Sequence, residues 1–487
     1  MKRNIITTLV LTALMCGTAI ADNNKAPDPC YPLPSPQQIA WQQLETYAFI
    51  HFGPNTFTDM EWGYGDTPAE AFNPTRLDCE QWVQTMVKGG FKGVILTCKH
   101  HDGFCLWPTK YTDYSVSNSP FRNGKGDVVK ELSDACKKYG IKFGVYLSPW
   151  DRHQAYYGKP EYREYYYNQL TELMTGYGEV FEVWFDGANG GDGWYGGAKE
   201  KREIDRRTYY DYPHAWGIVN ELQPNAVIFS DGGPGCRWLG NENGFANATN
   251  WSLLRSGEVY PGYPQYEELQ SGHADGNMWC PAECNTSIRP GWFYHEKEDT
   301  AIKTVDQLVD LYYRNVGHNG TFLLNFPVDR DGLIHPTDSA TVIEWRQRID
   351  HELGNNLLKH ARFTASEERC DNYCGSKAGD GKWDTYWAPS DSTRSAELYI
   401  TTKGKVTLDR MLLQEYIPLG QRVKAFVIEY KTCCGEWRPV IASEETTTIG
   451  YKRIVRFAKA TASEWRVRII DARACPCINN IEGYYSK

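Results

Sequence analysis

The sequence predicts an α/β fold, a closed (β/α)8-like TIM barrel, joined to an all-β sandwich. Three observations lead there. Short apolar, β-prone runs alternate with helical patterns through the first two-thirds of the chain, which calls for a parallel sheet. From Asn355 onward the helical patterns stop and only short β-like runs remain, the texture of a sandwich. The 487 residues exceed one ordinary domain and leave room for a barrel of about 250 residues or more beside a second unit.

In chain order, the first residues read as a secretory leader. Lys2 and Arg3 give the basic start, IITTLVLTALM the apolar stretch, and Ala19, Ile20 and Ala21 a small-residue cleavage site before Asp22. Residues 1–21 are therefore expected to be removed and the protein exported, to the periplasm or beyond. Cys16 also admits a lipoprotein reading, but Met15 before it is bulky where that signal takes a small residue. Barrel strands are expected at YAFIHF from Tyr47, GVILTC from Gly93, KFGVYLS from Lys142, VFEVWF from Val180, AVIFS from Ala226 and FLLNF from Phe322. Between them CEQWVQTMVKGG has a glycine stop after Lys88, and DVVKELSDACKKYG runs from Asp127 to Gly140, both with helical spacing and end signals. The repeat count favours a closed barrel over an open sheet, the competing arrangement while some strands stay unassigned. A helical stretch from Thr341 to Gly354 closes this region. AELYITT, RMLLQEY, AFVIEY, YKRIVRFA and EWRVRII then follow between turn residues. The barrel is expected over residues 22–354 and the sandwich over residues 355–487.

Formal net charge is −9 with no basic stripe, which argues against a nucleic-acid partner. No run after the leader is long and apolar enough for a transmembrane segment. The 17 Trp and 32 Tyr suit sugar stacking, although they also fill cores. Among 15 cysteines, Cys280/Cys284, Cys370/Cys374 and Cys475/Cys477 are close pairs. Lacking histidines at zinc-finger spacing, some of them are expected to form disulfides in an exported chain. Adjacent Cys433 and Cys434 do not easily bond to each other.

The chemistry concentrates at strand ends. VFEVWFDGANGGDGW carries Asp186 to the mouth of a buried strand, with Trp184 two residues back on the same face, and the carboxyl ends of parallel strands are where such folds work. An N-cap would be the ordinary explanation for Asp186, but GANGG follows and no helix starts at once. His51, Glu61 and Trp62, His100 and His101, and Tyr146, Trp150 and Asp151 end or follow other strands, and barrel geometry brings such ends together. A metal is not assigned, because His100 and His101, as strand neighbours, point to opposite faces and no helix-borne histidine pair is present. If Asp186 acts on a glycosidic bond, a second carboxyl is required. Glu242, in RWLGNENG, and Glu283, in PAECNTSIRP, are the two candidates.

Taken together, FIHFGPNTFTDMEW, FNP at Phe72, KHHDGFCLWPTKYTDYSV, GVYLSPWDRH, VWFDGANG, RWLGNENG, PAECNTSIRPGWFYH and NGTFLLNFPVDRDGLI make the chain resemble the α-L-fucosidases of glycoside hydrolase family twenty-nine across most of residues 32–354. The resemblance implies a retaining, exo-acting hydrolase of terminal α-L-fucose, with Asp186 as nucleophile and Glu242 as acid/base. That choice of acid belongs to the branch that prefers α-1,3/1,4-linked fucose on branched glycans. It implies fucose contacts from His51, Glu61, Trp62, His100, His101, Tyr146 and Trp184, no cofactor for catalysis, and fucosylated oligosaccharides or glycoconjugates as partners. One departure is the longer stretch around GWYGGAKEKREIDRR, expected as an enlarged loop near the mouth. The tail, with ARFTASEER, DGKWDTYWAP and ACPCINNIEGYY, resembles a discoidin-like, galactose-binding-type sandwich. Such domains often bind glycans and hold a structural calcium ion, here near Asp380 and Asp384, which are equally plain turn formers. A chain ending near Gly354 is expected to keep activity on small fucosides. The competing functions are a glycan-binding or adhesion protein on an inactive barrel, and a glycosidase for another sugar.

Overall fold

The computed structural model describes residues 25–486, so the expected leader and Cys16 lie outside the described residues. Eight strands close a parallel barrel: β1 Thr46–His51, β2 Gly93–Lys99, β3 Lys142–Leu147, β4 Glu182–Trp184, β5 Val227–Ser230, β6 Cys236–Trp238, β7 Ala282–Ser287 and β8 Gly320–Pro327. Each strand pairs with its neighbours in sequence, and β8 returns to β1 in a register running from Thr46 opposite Phe322 to His51 opposite Pro327. The (β/α)8-like barrel followed by an antiparallel domain is thus the architecture adopted. Strands β6 and β7 were not among the runs picked out from the sequence, because one is short with Arg237 at its centre and the other, AECNTS, has no apolar run.

The helices start and stop where local chemistry requires. Helix α1 (Pro36–Gln42) has a capping box between Ser35 and Gln38 and sends Trp41 into the barrel interior. Helix α2 (Cys79–Lys88) is capped by Asp78, whose carboxylate accepts from Glu80 and Gln81 N–H, and α3 (Val128–Tyr139) is capped by Asp127. Gly140 ends α3 at φ 72°, a left-handed position that suits glycine. Helices α4 (Glu161–Gly176), α5 (Tyr212–Leu222), α6 (Val305–Asn315) and α7 (Pro336–Leu353) complete the outer layer. No α-helix separates β5 from β6 or β6 from β7. Residues 239–281 there form an irregular cover instead.

Past α7 the chain becomes an antiparallel sheet system: β9 Arg362–Ala365, β10 Ala396–Glu415, β11 Val423–Lys431, β12 Trp437–Pro439, β13 Arg453–Ala472 and β14 Ile478–Tyr484. Runs expected as separate strands are joined, AELYITT with RMLLQEY in β10 and YKRIVRFA with EWRVRII in β13. Both are 20-residue strands with register shifts between Thr401 and Val406, where polar residues bend the ladder. Leu398, Ile400, Phe426, Ile428, Trp465 and Val467 fill the core.

The two units share apolar and ionic contacts. Leu412, Ile454 and Tyr484 of the sandwich belong to the same buried cluster as the barrel helices. Arg410 pairs with Glu352 and Tyr313, Arg456 with Asp310 at 2.7 Å, and the Tyr451 N–H donates to Asn319 Oδ1 at 2.7 Å. The segment preceding the barrel also lies on the sandwich, Cys30 N–H donating to Leu419 O and Arg422 to Asp28 O. Loss of the tail would bare the apolar surface under Leu412, Ile454 and Tyr484, a cost that the expectation of an active barrel alone leaves out.

The expected disulfides do not form among the described residues, whose cysteines are free thiols, most of them buried as small apolar groups. Cys280 and Cys284 lie in different apolar clusters, and Cys477 donates to Cys475 O. Asp380 is engaged by its own turn, accepting from Lys382 N–H and the Thr385 hydroxyl. No helix of the described residues is long and apolar enough to cross a membrane.

Candidate active site

One pocket opens at the carboxyl ends of the strands, lined by Phe49, His51, Trp62, His100, His101, Tyr146, Trp184, Asp186, Ala188, Glu242, Asn285 and Trp292. Asp186 follows β4. Its Oδ2 accepts the Tyr146 hydroxyl at 2.9 Å and its Oδ1 the Ala188 N–H at 2.7 Å. Both bonds fix the direction of the carboxyl group. Gly187 is required beside it, because a Cβ there would stand 2.2 Å from Asp231 Oδ2.

Three histidines line the wall. His51 on β1 bonds Asn325 Oδ1 through Nδ1 at 2.8 Å, and burial pulls its pKa down to about 3. His101 Nδ1 lies 2.7 Å from Ser148 Oγ and its Nε2 3.9 Å from Asp186 Oδ2. Burial lowers both His100 and His101 below the usual histidine range, the Asp186 charge opposing this at His101. They are neutral rings at neutral pH, and buried His100 Nδ1 has no hydrogen-bond partner in the protein. The expectation that His100 and His101 face apart is corrected: both line the pocket, with ring centroids 4.1 Å apart. Strand β2 ends at Lys99, so alternation no longer governs the pair. Among the described residues, the one group of three potential metal ligands is Glu182, Cys236 and Glu283, which includes neither histidine.

Glu242 stands at the open lip after β6 and accepts the Trp292 indole N–H at 3.3 Å. The protein wall around it raises its pKa, the Trp292 bond opposes this, and the charges of Asp186 and Glu61 add to the rise. The side chain keeps solvent at its tip, so the shift comes from partial enclosure. Its rival Glu283 is fully buried on β7, accepting Trp184 Nε1–H at 2.7 Å and Tyr47 O–H at 2.6 Å. It is not among the residues lining the pocket and cannot reach a leaving group.

Glu61 is the one expected contact that does not line this pocket. Its carboxylate accepts Trp292 N–H at 2.8 Å, Phe293 N–H at 3.1 Å and His295 at 2.7 Å. Glu61 therefore anchors the loop that presents Trp292, and Gly291 leaves room for it. Sequence reasoning missed Phe49, Asn285, Trp292 and the supporting Asn325. An Asn inside the apolar run FLLNF was the available signal for the last. Trp62 is more than half exposed, its ring edge-on to His101 and Trp150.

A second hollow adjoins the first through Trp184, Asp186, Glu242 and Asn285, walled by Arg206, Asp231, Trp238, Tyr263 and Tyr266. The enlarged stretch forms a small hairpin, Gly191–Gly193 with Glu200–Arg202. Tyr195 from it accepts the Trp150 indole N–H, and Arg206 just beyond donates to Gly262 O at 2.7 Å. It thus borders the mouth without covering Asp186.

Comparison with known proteins gives a consistent picture. Residues 36–345 match the alpha-L-fucosidase family model and residues 362–474 the F5/8 type C domain. The chain is 45% identical over 470 residues to alpha-L-fucosidase 1 of Arabidopsis thaliana, covering 95% of this chain and 89% of the relative. Among solved structures, a glycoside hydrolase 29 family member from a rumen bacterium superposes with TM-score 0.85 at 44% identity, covering 94% of this chain and 78% of the other. A Ruminococcus gnavus GH29 fucosidase in complex with fucose superposes with TM-score 0.83 at 31% identity, covering 95% and 97%.

Proposed function

The chain belongs to the alpha-L-fucosidase family of glycoside hydrolases, with a C-terminal F5/8 type C domain, and from that premise we propose that it releases terminal α-1,3/1,4-linked L-fucose from branched glycans with net retention. Asp186 attacks the anomeric carbon and forms a covalent fucosyl-enzyme while Glu242 gives its proton to the leaving oxygen. Glu242 then takes a proton from water, which attacks the same carbon and frees fucose. The observation that carries this reading is the pair of unlike carboxyls on one pocket. Asp186 is aimed by the Tyr146 hydroxyl and the Ala188 N–H, and Glu242 is shifted toward its protonated form, as the acid of such a pair needs to be.

His51, His100, His101, Trp62 and Trp184 suit a deoxy-sugar, neutral nitrogens for its hydroxyls and aromatic surface for its apolar face. The adjoining hollow beyond Glu242 supports a branched acceptor. The tail takes part in glycan attachment on this reading. The leader directs export, and no metal takes part in the chemistry. Hydrolysis of p-nitrophenyl α-L-fucoside and of a branched Lewis-type oligosaccharide, by wild type and by Glu242→Ala, tests the proposal. The variant is expected to lose the oligosaccharide reaction far more than the activated aryl one, because only the former needs a proton. Sugar binding with no turnover of any fucoside by the wild type would favour an adhesion protein on an inactive barrel.

A further inference from the structure

Directly beneath the sugar pocket the barrel interior holds two carboxyls, Glu182 on β4 and Glu283 on β7, both fully buried. Glu283 Oε1 accepts the Trp184 indole N–H at 2.7 Å and Oε2 the Tyr47 hydroxyl at 2.6 Å. Glu182 Oε2 accepts the Trp41 indole N–H at 2.7 Å, and its Oε1 lies 3.9 Å from Cys236 Sγ. One oxygen of each carboxyl and the Cys236 sulfur lie within 4.8 Å of one another. The groups named here as touching them are neutral, so two full charges side by side in this interior are strongly disfavoured and one proton is held between them. Glu283 accepts the two stronger donors, which favours charge on it and leaves the proton with Glu182. The N–H and O–H groups aimed at the carboxylate oxygens suit an anion, which makes a proton and not a cation the shared partner.

Trp184 connects this pair to the pocket. Its ring stacks on Phe229 with centroids 3.8 Å apart and 5° between planes, and next to Tyr146 at 5.4 Å. Tyr146 in turn donates to the Asp186 carboxylate. The hydrogen bond from the indole N–H to Glu283 is the polar tie that fixes how this ring lies in its stack.

We propose that Glu283 is a positioning residue for sugar binding: it holds the Trp184 ring that lines the fucose pocket, with Glu182 carrying the proton the pair shares. The proposal rests on the reading of the pocket as the fucose site. The Tyr47 hydroxyl also lies 2.9 Å from Thr321 Oγ1, so a glutamine at Glu283 could keep the indole bond while the phenol donates to Thr321. A methionine at Glu283 keeps the length of the side chain and removes both acceptor oxygens, which leaves the indole N–H without its partner. A glutamine at Glu182 reproduces a protonated carboxyl, accepting from Trp41 and offering an N–H toward Glu283. E283M and E182Q should therefore differ.

The test is calorimetric titration of the full chain with L-fucose, together with kcat and KM on an aryl fucoside and thermal melting of each variant. E283M is expected to weaken fucose binding about tenfold, as loss of one buried hydrogen bond implies, and to raise KM more than it lowers kcat. E182Q is expected to bind within about twofold of wild type, as an isostere of the protonated carboxyl should. W184F deletes the same bond from the donor side and is expected to weaken binding similarly, which keeps the test open if E283M does not fold. In the W184F background, E283M should add little. Y47F removes the other donor to Glu283 and is expected to lower the melting temperature while leaving fucose affinity unchanged. Unaltered affinity in E283M or W184F, equal effects of E182Q and E283M, or an equal loss in Y47F would overturn the inference while the fucosidase reading stands. A wild type that binds no fucose overturns both.

Discussion

Replacing Trp292 with Phe keeps an aromatic wall but deletes the N–H that donates to Glu242 Oε2 at 3.3 Å. That bond stabilises the charged form of Glu242, so its loss should make the carboxyl a weaker acid. A net hydrogen bond is worth about 0.5–1.5 kcal/mol, and the length of this one and the solvent at the Glu242 tip place it at about 0.5–0.7 kcal/mol after screening. At about 1.36 kcal/mol per pKa unit, the shift is roughly half a unit upward. In the pH profile of kcat/KM for a fucosylated oligosaccharide, whose sugar leaving group needs a proton, the descending limb on the alkaline side belongs to the group that must be protonated. The Trp292→Phe profile is expected to keep its acid limb and to move its alkaline limb about half a unit higher, with a lower plateau from the lost pocket contact. Burial holds His51, His100 and His101 below the ordinary histidine range, so their titration lies toward the acid side of the profile. An alkaline limb that stays in place or moves down would refute Glu242 as the proton donor governed by Trp292.

Asp186→Ala is expected to abolish turnover without altering the melting curve, and azide should restore activity with β-fucosyl azide as product. Near-normal activity of that variant contradicts the assignment. Asp231, raised to about 7 by burial with Asp186 adding to the rise, keeps its proton in the folded chain at pH values where the unfolded chain has lost it. Its stabilisation is therefore full below about pH 4 and lost as pH rises through about 7. Asp231→Asn can still accept the Gly262 N–H, so the Tm of the variant minus that of wild type should grow from pH 5 to pH 8, and a constant difference counts against the buried proton. A chain truncated after Gly354 is expected to be insoluble or to melt far below the full chain, because it uncovers the apolar surface under Leu412, Ile454 and Tyr484. A soluble truncation with wild-type activity would show that the interface is dispensable.

The barrel was legible where its strands are apolar. YAFIHF, GVILTC and FLLNF pack between the barrel interior and the helices, and both faces are buried. The two strands that escaped notice face a polar part of the interior, Glu283 on β7 meeting Glu182 and Asn285 meeting Trp238, so hydrophobic patterning had nothing to report. At the site, strand ends pointed to His51, His100, Tyr146 and Asp186 because each follows an apolar run. Trp292 sits in a loop whose position is set by the Glu61 carboxylate from far along the chain, and no local pattern encodes that. The adjacent histidines mislead because both lie past Lys99, where the strand and its alternation end. Glu242 and Glu283 could not be separated by spacing. Burial separates them, and burial is a property of the closed barrel.

The central claim, retention through Asp186 and Glu242, is tested most directly by following the first minutes of hydrolysis of an aryl α-L-fucoside by proton NMR. The account expects α-L-fucose to appear first and the β anomer to grow in only by mutarotation. β-L-fucose as the first product would require a water-activating base in place of a nucleophile and would contradict it.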